Sequence, residues 1–217
     1  MLNRFFAAKQ ESSPVPPDAS LTGPRVPRHS GGWAMVRKRL QTEQGLRVLD
    51  IGYTSPANVH YISGLGHSIF LADIVEDACN GSWLSGIDEE GNPTWNVEGF
   101  LEKSLNFVGR TFDVALLWTS LDYLPEPLVA PVVEHLFHAM NPDGQVLALF
   151  HTRMKGEETV HCRFHVTDSD DVEVQLARSF PIQRAFTNRS IERLFAGWTS
   201  HRQFLAKDSV SEVVITR

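Results

Sequence analysis

Arg47-Val48-Leu49-Asp50-Ile51-Gly52, followed by Ser68-Ile69-Phe70-Leu71-Ala72-Asp73, decides the fold. Each stretch is a short apolar run that ends in a carboxylate or a glycine, and Asp73 stands 21 residues after Gly52. A parallel strand ending in a tight glycine turn brings backbone N–H groups and a helix N-terminus toward a bound nucleotide. An acidic residue about 20 residues further on, at the tip of the next strand, accepts hydrogen bonds from a ribose diol. The pair predicts a nucleoside-binding domain.

On the N-terminal side, Trp33, Met35/Val36 and Leu40 have helical spacing, with Gly45 as a stop. Residues 1–31 are an expected extended arm, because their Pro, Ser and Gly content (Ser12-Ser13-Pro14-Val15-Pro16-Pro17, Gly31-Gly32) cannot build a core. Ala57 to Leu65 predicts a short helix before the second strand. Residues 74–111 carry turn chemistry at Asn80-Gly81 and Glu90-Gly91-Asn92-Pro93, and a short helix over Val97 to Leu105. Thr111 to Trp118 and Gln145 to His151 are continuous apolar runs, the mark of strands buried on both faces. Between them Leu128, Val129, Val132, Val133, Leu136, Phe137 and Met140 repeat at helical spacing, up to the stop and turn Asn141-Pro142-Asp143-Gly144.

Strand and helix thus alternate, which predicts a doubly wound α/β domain with a mostly parallel, Rossmann-like sheet. The last third differs. Thr159 to Val166 and Val172 to Leu176 alternate strictly around Asp168-Ser169-Asp170-Asp171, an inserted hairpin near 159–177. Asn188 is placed to cap a helix running to Trp198, and Gln203–Ala206 with Val210–Thr216 forms a closing antiparallel hairpin. Residues 32–217 are therefore expected to be one domain.

The net charge of −6, with Lys and Arg scattered, weighs against nucleic acid as a direct partner. Two cysteines, Cys79 and Cys162, are too few for a disulfide scaffold and suit a reducing compartment, so the cytoplasm is expected. Met1 to Gln10 is broken by Asn3, Arg4 and Lys9 and does not read as a signal peptide, and no apolar run is long enough to span a membrane.

An open α/β sheet ending in an antiparallel hairpin resembles class I S-adenosylmethionine-dependent methyltransferases over roughly residues 33–217. Four elements carry the resemblance, in order: Val48–Gly52; Asp73; Phe112-Asp113-Val114-Ala115-Leu116-Leu117-Trp118 with Leu121-Asp122-Tyr123-Leu124-Pro125; and Met140-Asn141-Pro142-Asp143-Gly144-Gln145-Val146-Leu147. It implies S-adenosylmethionine as cofactor and a site built from Asp50, Gly52, Tyr53, Thr54, Asp73, Ile74, Phe100, Leu101, Trp118 and Thr119. Asp50 orders the loop or the cofactor's amino group, Asp73 takes the ribose, Phe100 and Leu101 sandwich the adenine, and Trp118 flanks the sulfonium or the acceptor.

The loop departs from the family pattern. It reads Gly52-Tyr53-Thr54-Ser55-Pro56, where two more glycines are usual. Tyr53 and Thr54 carry Cβ atoms that restrict φ > 0, while Thr54 and Ser55 offer hydroxyls to the cofactor carboxylate.

The histidine pairs His161/His165 and His135/His138 share faces of a strand and a helix but have no third ligand at metal-site spacing; they read as solvated faces, and no metal is expected. His151, at the end of a strand, is a candidate general base, against the plainer role of bonding backbone. A sulfonium is already an activated leaving group, so alignment and exclusion of water suffice and no fixed catalytic dyad is required. The segment Trp118-Thr119-Ser120-Leu121 lacks the Asn/Asp-Pro-Pro-Tyr/Phe element of amino-methylating nucleic-acid enzymes. The expected acceptor is therefore a small molecule or a protein, with the arm as a lid or a homodimer contact. The drifted loop motivates an alternative, a non-catalytic binding scaffold. A nicotinamide dehydrogenase fits Asp73 but lacks Gly-x-Gly-x-x-Gly.

Overall fold

A computed structural model of the chain describes residues 23–53, 55–153, 160–204 and 208–217. In chain order the elements are β1 (Val26–His29), α1 (Gly31–Thr42), β2 (Arg47–Ile51), α2 (Pro56–Gly64), β3 (Ser68–Ala72) and α3 (Ile74–Asn80). Next come β4 (Leu84–Ile87), β5 (Pro93–Trp95), α4 (Val97–Ser104), β6 (Phe112–Trp118), α5 (Glu126–Ala139) and β7 (Met140–His151). The chain closes with β8 (Val160–Val166), β9 (Asp171–Ser179), α6 (Asn188–Leu194), β10 (Ser200–Phe204) and β11 (Val210–Thr216).

The main sheet has the order β10-β11-β7-β6-β2-β3. β7, β6, β2 and β3 run parallel, and β11 is antiparallel to both its neighbours. This is the doubly wound sheet with a C-terminal antiparallel hairpin that the resemblance implies. Side chains of successive strand residues point to opposite faces. Val48, Val114, Leu116, Leu147, Leu149 and Val214 therefore pack under Trp33, Val36, Leu40 and Ile62 of α1 and α2. Leu49, Ile51, Ala115, Leu117, Val146, Ala148 and Phe150 face Val75, Phe100, Val132, Leu136 and Ile191 of α3–α6. The continuous apolar runs reflect this burial on both faces. No helix among the described residues is long and apolar enough to cross a membrane.

The inserted hairpin is present, but it is not alone. β8 and β9 pair antiparallel, and β1 adds itself to the outer edge of β9, giving the order β1-β9-β8. Residues 26–29 of the expected arm are thus a strand of this second sheet, while residues 1–22 lie outside the described residues. β1 is tethered through Glu212 of β11, which is 1% exposed. Its carboxylate accepts from Arg28, from Ser30 Oγ (2.9 Å) and from the Gly32 amide (2.8 Å). Gly32 has no room for a side chain, since a Cβ there would meet Leu147 Cδ1 at 2.5 Å.

Three boundaries differ from the sequence reading. The α6 cap is Thr187 rather than Asn188, because Thr187 and Ser190 form a reciprocal capping box, and the helix ends at Leu194. Asn141–Gly144 lies within β7, with the expected turn surviving as a kink at Asp143 (φ +61). Residues 84–95 form a separate small hairpin, whose turn is fixed by the Asp88 side chain accepting from the Glu90 and Asn92 amides.

Candidate active site

The carboxyl ends of β2, β3, β6 and β7 converge at one edge of the main sheet, and the β8–β9 hairpin lies across it. Asp50, one residue before the end of β2, is 3% exposed and uses both oxygens within the chain. Trp118 Nε1 donates to Oδ1 at 2.7 Å and Asn58 Nδ2 donates to Oδ2 at 2.9 Å. Burial pushes the Asp50 carboxyl up to about 6, and the two donors restrain that rise. Gly52 is glycine beside an indole: a Cβ there would meet Trp118 Cδ1 at 3.0 Å. Trp118 itself holds φ +46, an uncommon backbone state for an aromatic residue, and stacks on Phe164 of β8.

Asp73 follows β3 and caps α3, its Oδ1 accepting from the Glu76 amide at 3.2 Å. Its Oδ2 accepts from Arg178 Nη1 of β9 at 2.7 Å, and the same nitrogen reaches Glu76 Oε2 at 2.5 Å. The Tyr53 ring lies between two guanidinium groups, with Arg163 Cζ 4.1 Å and Arg178 Cζ 3.8 Å from its centre. Burial, with Arg178 and Arg25 nearby, holds the Arg163 guanidinium below its usual range, while Tyr53 opposes that shift.

The hairpin is also bound to the start of α2. Asn58 Nδ2 donates to the Phe164 carbonyl (3.1 Å) and its Oδ1 accepts from the Val166 amide (2.8 Å). Ser55 Oγ, the α2 cap, lies 2.7 Å from His165 Nδ1, and His165 Nε2 lies 3.0 Å from Gln175 Oε1. Donation from Ser55 to Nδ1 and from Nε2–H to Gln175 satisfies a neutral imidazole, in keeping with the downward shift that burial gives His165.

At the end of β7, His151 places Nδ1 2.6 Å from Asp122 Oδ2, which also accepts the His151 amide at 2.8 Å. Asp122 is wholly buried, and burial pushes its carboxyl up to about 6 against the pull of His151. Its Oδ1, Thr119 Oγ1 and His161 Nδ1 are buried without a hydrogen-bond partner among the described residues. His161 packs against Tyr123 (4.8 Å between ring centres), and burial pushes it down to about 4.

Of the ten expected site residues, Asp50, Gly52 and Trp118 touch one another, and Tyr53 and Asp73 meet through Arg178. Thr119 is buried beside them. Thr54 lies outside the described residues. Ile74 turns its side chain into the core, as does Phe100, which packs edge-on against Trp83 at 5.2 Å. Leu101 lines a cavity of about 810 Å³ with Phe107, Arg110 and His135, at the opposite end where β6 begins. The adenine sandwich expected of Phe100 and Leu101 is therefore not formed by this pair, because α4 carries one inward and the other toward the far edge.

The histidine faces are corrected too: His161 and His165 are buried at 1% and 0% exposure rather than solvated. The seating of the hairpin on the sheet edge covers both, His165 against Ser55 and Gln175 and His161 against Tyr123. His135 donates from Nε2 to the Leu105 carbonyl (2.9 Å) and stacks on Phe107. Arg178, Arg163, Asn58 and Phe164 sit in no local motif that marks a site, and Asp122, within the quoted Leu121–Pro125 segment, carries no expected role of its own.

No protein-family model matches the chain, and no curated protein matches it. Among solved structures it is similar to 1,6-didemethyltoxoflavin-N1-methyltransferase of Burkholderia thailandensis, determined with 1,6-didemethyltoxoflavin and S-adenosylhomocysteine. The identity is 13% over 86% of this chain and 76% of that one, with a TM-score of 0.45. A methyltransferase of Methanosarcina mazei is 16% identical over 83% and 96% of the two chains, at a TM-score of 0.46. An amino pentose methyltransferase of Micromonospora echinaspora, determined with S-adenosylmethionine bound, is 15% identical over 85% and 89%, at a TM-score of 0.40.

Proposed function

We propose that this chain is an S-adenosylmethionine-dependent methyltransferase whose acceptor is a small molecule or a protein. One observation carries the reading: Asp73, at the tip of β3, and Gly52, at the tip of its parallel neighbour β2, stand side by side at the carboxyl edge of a doubly wound sheet. Ligands of open α/β sheets bind at this edge. A carboxylate at this tip can accept from a nucleoside diol. Asp73 Oδ1 is held by the backbone of α3, and Oδ2 is engaged by an arginine that has a second carboxylate, Glu76, within reach.

When bound, the cofactor supplies an electrophilic methyl group, so the protein's work is placement. Asp73 grips the sugar, Trp118 walls the space beside Gly52, and the β8–β9 hairpin keeps water from the edge. Asp122 fixes His151 with Nδ1 toward its carboxylate, and His151, at the end of β7, is the candidate general base for the acceptor's proton. Trp118-Thr119-Ser120-Leu121 and the net charge of −6 favour a small-molecule or protein acceptor over nucleic acid. Two cysteines, too few for a disulfide scaffold, suit the cytoplasm, and a homodimer contact through the N-terminal arm is part of the reading.

A second reading is a binding scaffold that no longer uses the cofactor. It is favoured by the Trp118 indole, 3% exposed against Gly52, and by Asp50 having both oxygens engaged within the chain. Calorimetric titration with S-adenosylhomocysteine separates the two. Saturable binding, weakened about 10- to 100-fold by Asp73→Ala, supports the enzyme. The scaffold reading takes its place if no heat appears at millimolar ligand.

A further inference from the structure

The acid expected to hold the ribose already holds a ligand supplied by the chain. Arg178 donates through Nη1 to Asp73 Oδ2, and a vicinal diol donates to the same carboxylate, so the two compete for it. Glu76 lies on the first turn of α3 and contacts the same guanidinium nitrogen, 2.5 Å away. Arg178 therefore has a carboxylate on which to remain when Asp73 is taken, and the Tyr53 ring, 3.8 Å from its Cζ, backs it in either position.

The hairpin is held at both ends. Its turn end is docked: Val166 and Val172 are 4% and 0% exposed, Trp33 Nε1 donates to the Thr167 and Ser169 carbonyls, and the Ser30 amide donates to the Asp170 carbonyl. Its open end carries the exposed Val160 and Leu176, is held by His161 against Tyr123 and by Tyr123 Oη donating to the Val160 carbonyl (3.0 Å), and meets α3 through Arg178. Passing Arg178 from Asp73 to Glu76 requires movement of its side chain alone, with His161 still seated against Tyr123.

We infer that Arg178 is a built-in gate on the ribose subsite, held on Asp73 in the closed state and passed to Glu76 when the cofactor enters. The inference rests on the methyltransferase reading. It makes Arg178 a positioning residue that sets cofactor affinity through occupancy of Asp73, and it leaves the turn end of the hairpin in place throughout.

The test is calorimetric titration of the full chain with S-adenosylhomocysteine, comparing wild type with Arg178→Gln and Glu76→Gln. Removing the competitor raises the fraction of binding-competent protein, so Arg178→Gln is expected to bind about tenfold tighter. Removing the second carboxylate leaves Arg178 only Asp73, so Glu76→Gln is expected to bind several-fold weaker. Added salt screens the closing ion pair and tightens wild-type binding without affecting Arg178→Gln. Backbone amides at 166–172 are expected to stay protected from hydrogen exchange on ligand addition. Binding seen only with Arg178→Gln supports the gate outright. Equal or weaker binding by a folded Arg178→Gln variant overturns the gate and leaves the methyltransferase reading standing. An absence of binding by all three proteins removes both.

Discussion

The Trp118 indole lies parallel to the Phe164 ring, with 4.9 Å between centres and an interplanar angle of 0°. This stack seats the centre of the hairpin on the end of β6, and the indole N–H beneath it satisfies a buried carboxylate, Asp50. Packing and hydrogen bonding are therefore joined in one side chain, and they separate by substitution.

Trp118→Phe keeps an aromatic surface and removes the donor. Asp50 then rises beyond its present value of about 6. A carboxyl whose folded value is raised favours the folded state at acid pH and loses that contribution as pH climbs through the folded value. The variant is expected to lose about 1–3 kcal/mol at pH 7 and markedly less at pH 5, where Asp50 is protonated. Urea unfolding at both pH values checks this; equal losses would mean that the Asp50 charge is not what the indole serves.

His161 gives the opposite slope. Its folded value near 4 lies below the ordinary 6.5, so the unfolded chain takes up a proton first as pH falls. Stability attached to His161 is intact above pH 6.5 and is drained between there and pH 4. His161→Phe removes this drain and a buried nitrogen without a partner. The variant is expected to gain on wild type progressively below pH 6.5, by about 3 kcal/mol at pH 4. Thermal melts from pH 7.5 to 4 read the divergence, and parallel curves would place His161 in contact with water.

Glu212 offers a test of the second sheet. Its carboxylate joins Arg28, Ser30 and Gly32 to β11, and Arg28 is itself mostly enclosed. Glu212→Gln leaves the Arg28 guanidinium with Asp208 and the Val210 carbonyl, and weakening the pair in this way is expected to cost about 1–3 kcal/mol. Because the tether ends at β1, trypsin is expected to cut after Arg28 faster than anywhere in the main sheet. A variant as resistant as wild type would show that β1 is held by its ladder with β9 instead.

The parts of the fold that were legible in sequence are those where local pattern and burial coincide. β2, β6 and β7 read as unbroken apolar runs because helices cover both faces, and Gly52 and Asp73 sit where two such runs stop. The site was less legible because its partners come from far along the chain. Arg178 is 105 residues from Asp73, and Phe164 reaches Trp118 only because an inserted hairpin folds back over the sheet edge. Strict alternation in β8 pointed to a solvated histidine face, but alternation separates two faces without saying which one water reaches. Phe100 and Leu101 were misplaced for a related reason: helical spacing fixes a stripe, and tertiary packing decides what it meets.

Asp122 and His151 form the last pair whose coupling is measurable. The carboxylate is wholly buried, its Oδ2 accepts from the His151 backbone amide at 2.8 Å and lies 2.6 Å from Nδ1, and His151 favours the charged form of Asp122 against the rise that burial causes. Asp122→Asn removes a buried charge while keeping an acceptor oxygen for the His151 amide, so the fold is expected to survive with a change within about 1 kcal/mol at pH 7. Without the carboxylate the imidazolium loses its counter-charge, and the His151 titration is expected to move to lower pH. Imidazole resonances followed by NMR across pH 5 to 8 report this directly. A proton acceptor tuned by Asp122 must move in that experiment; a His151 titration that stays put in a folded Asp122→Asn protein would leave the short contact as packing and take the general-base role away from the pair.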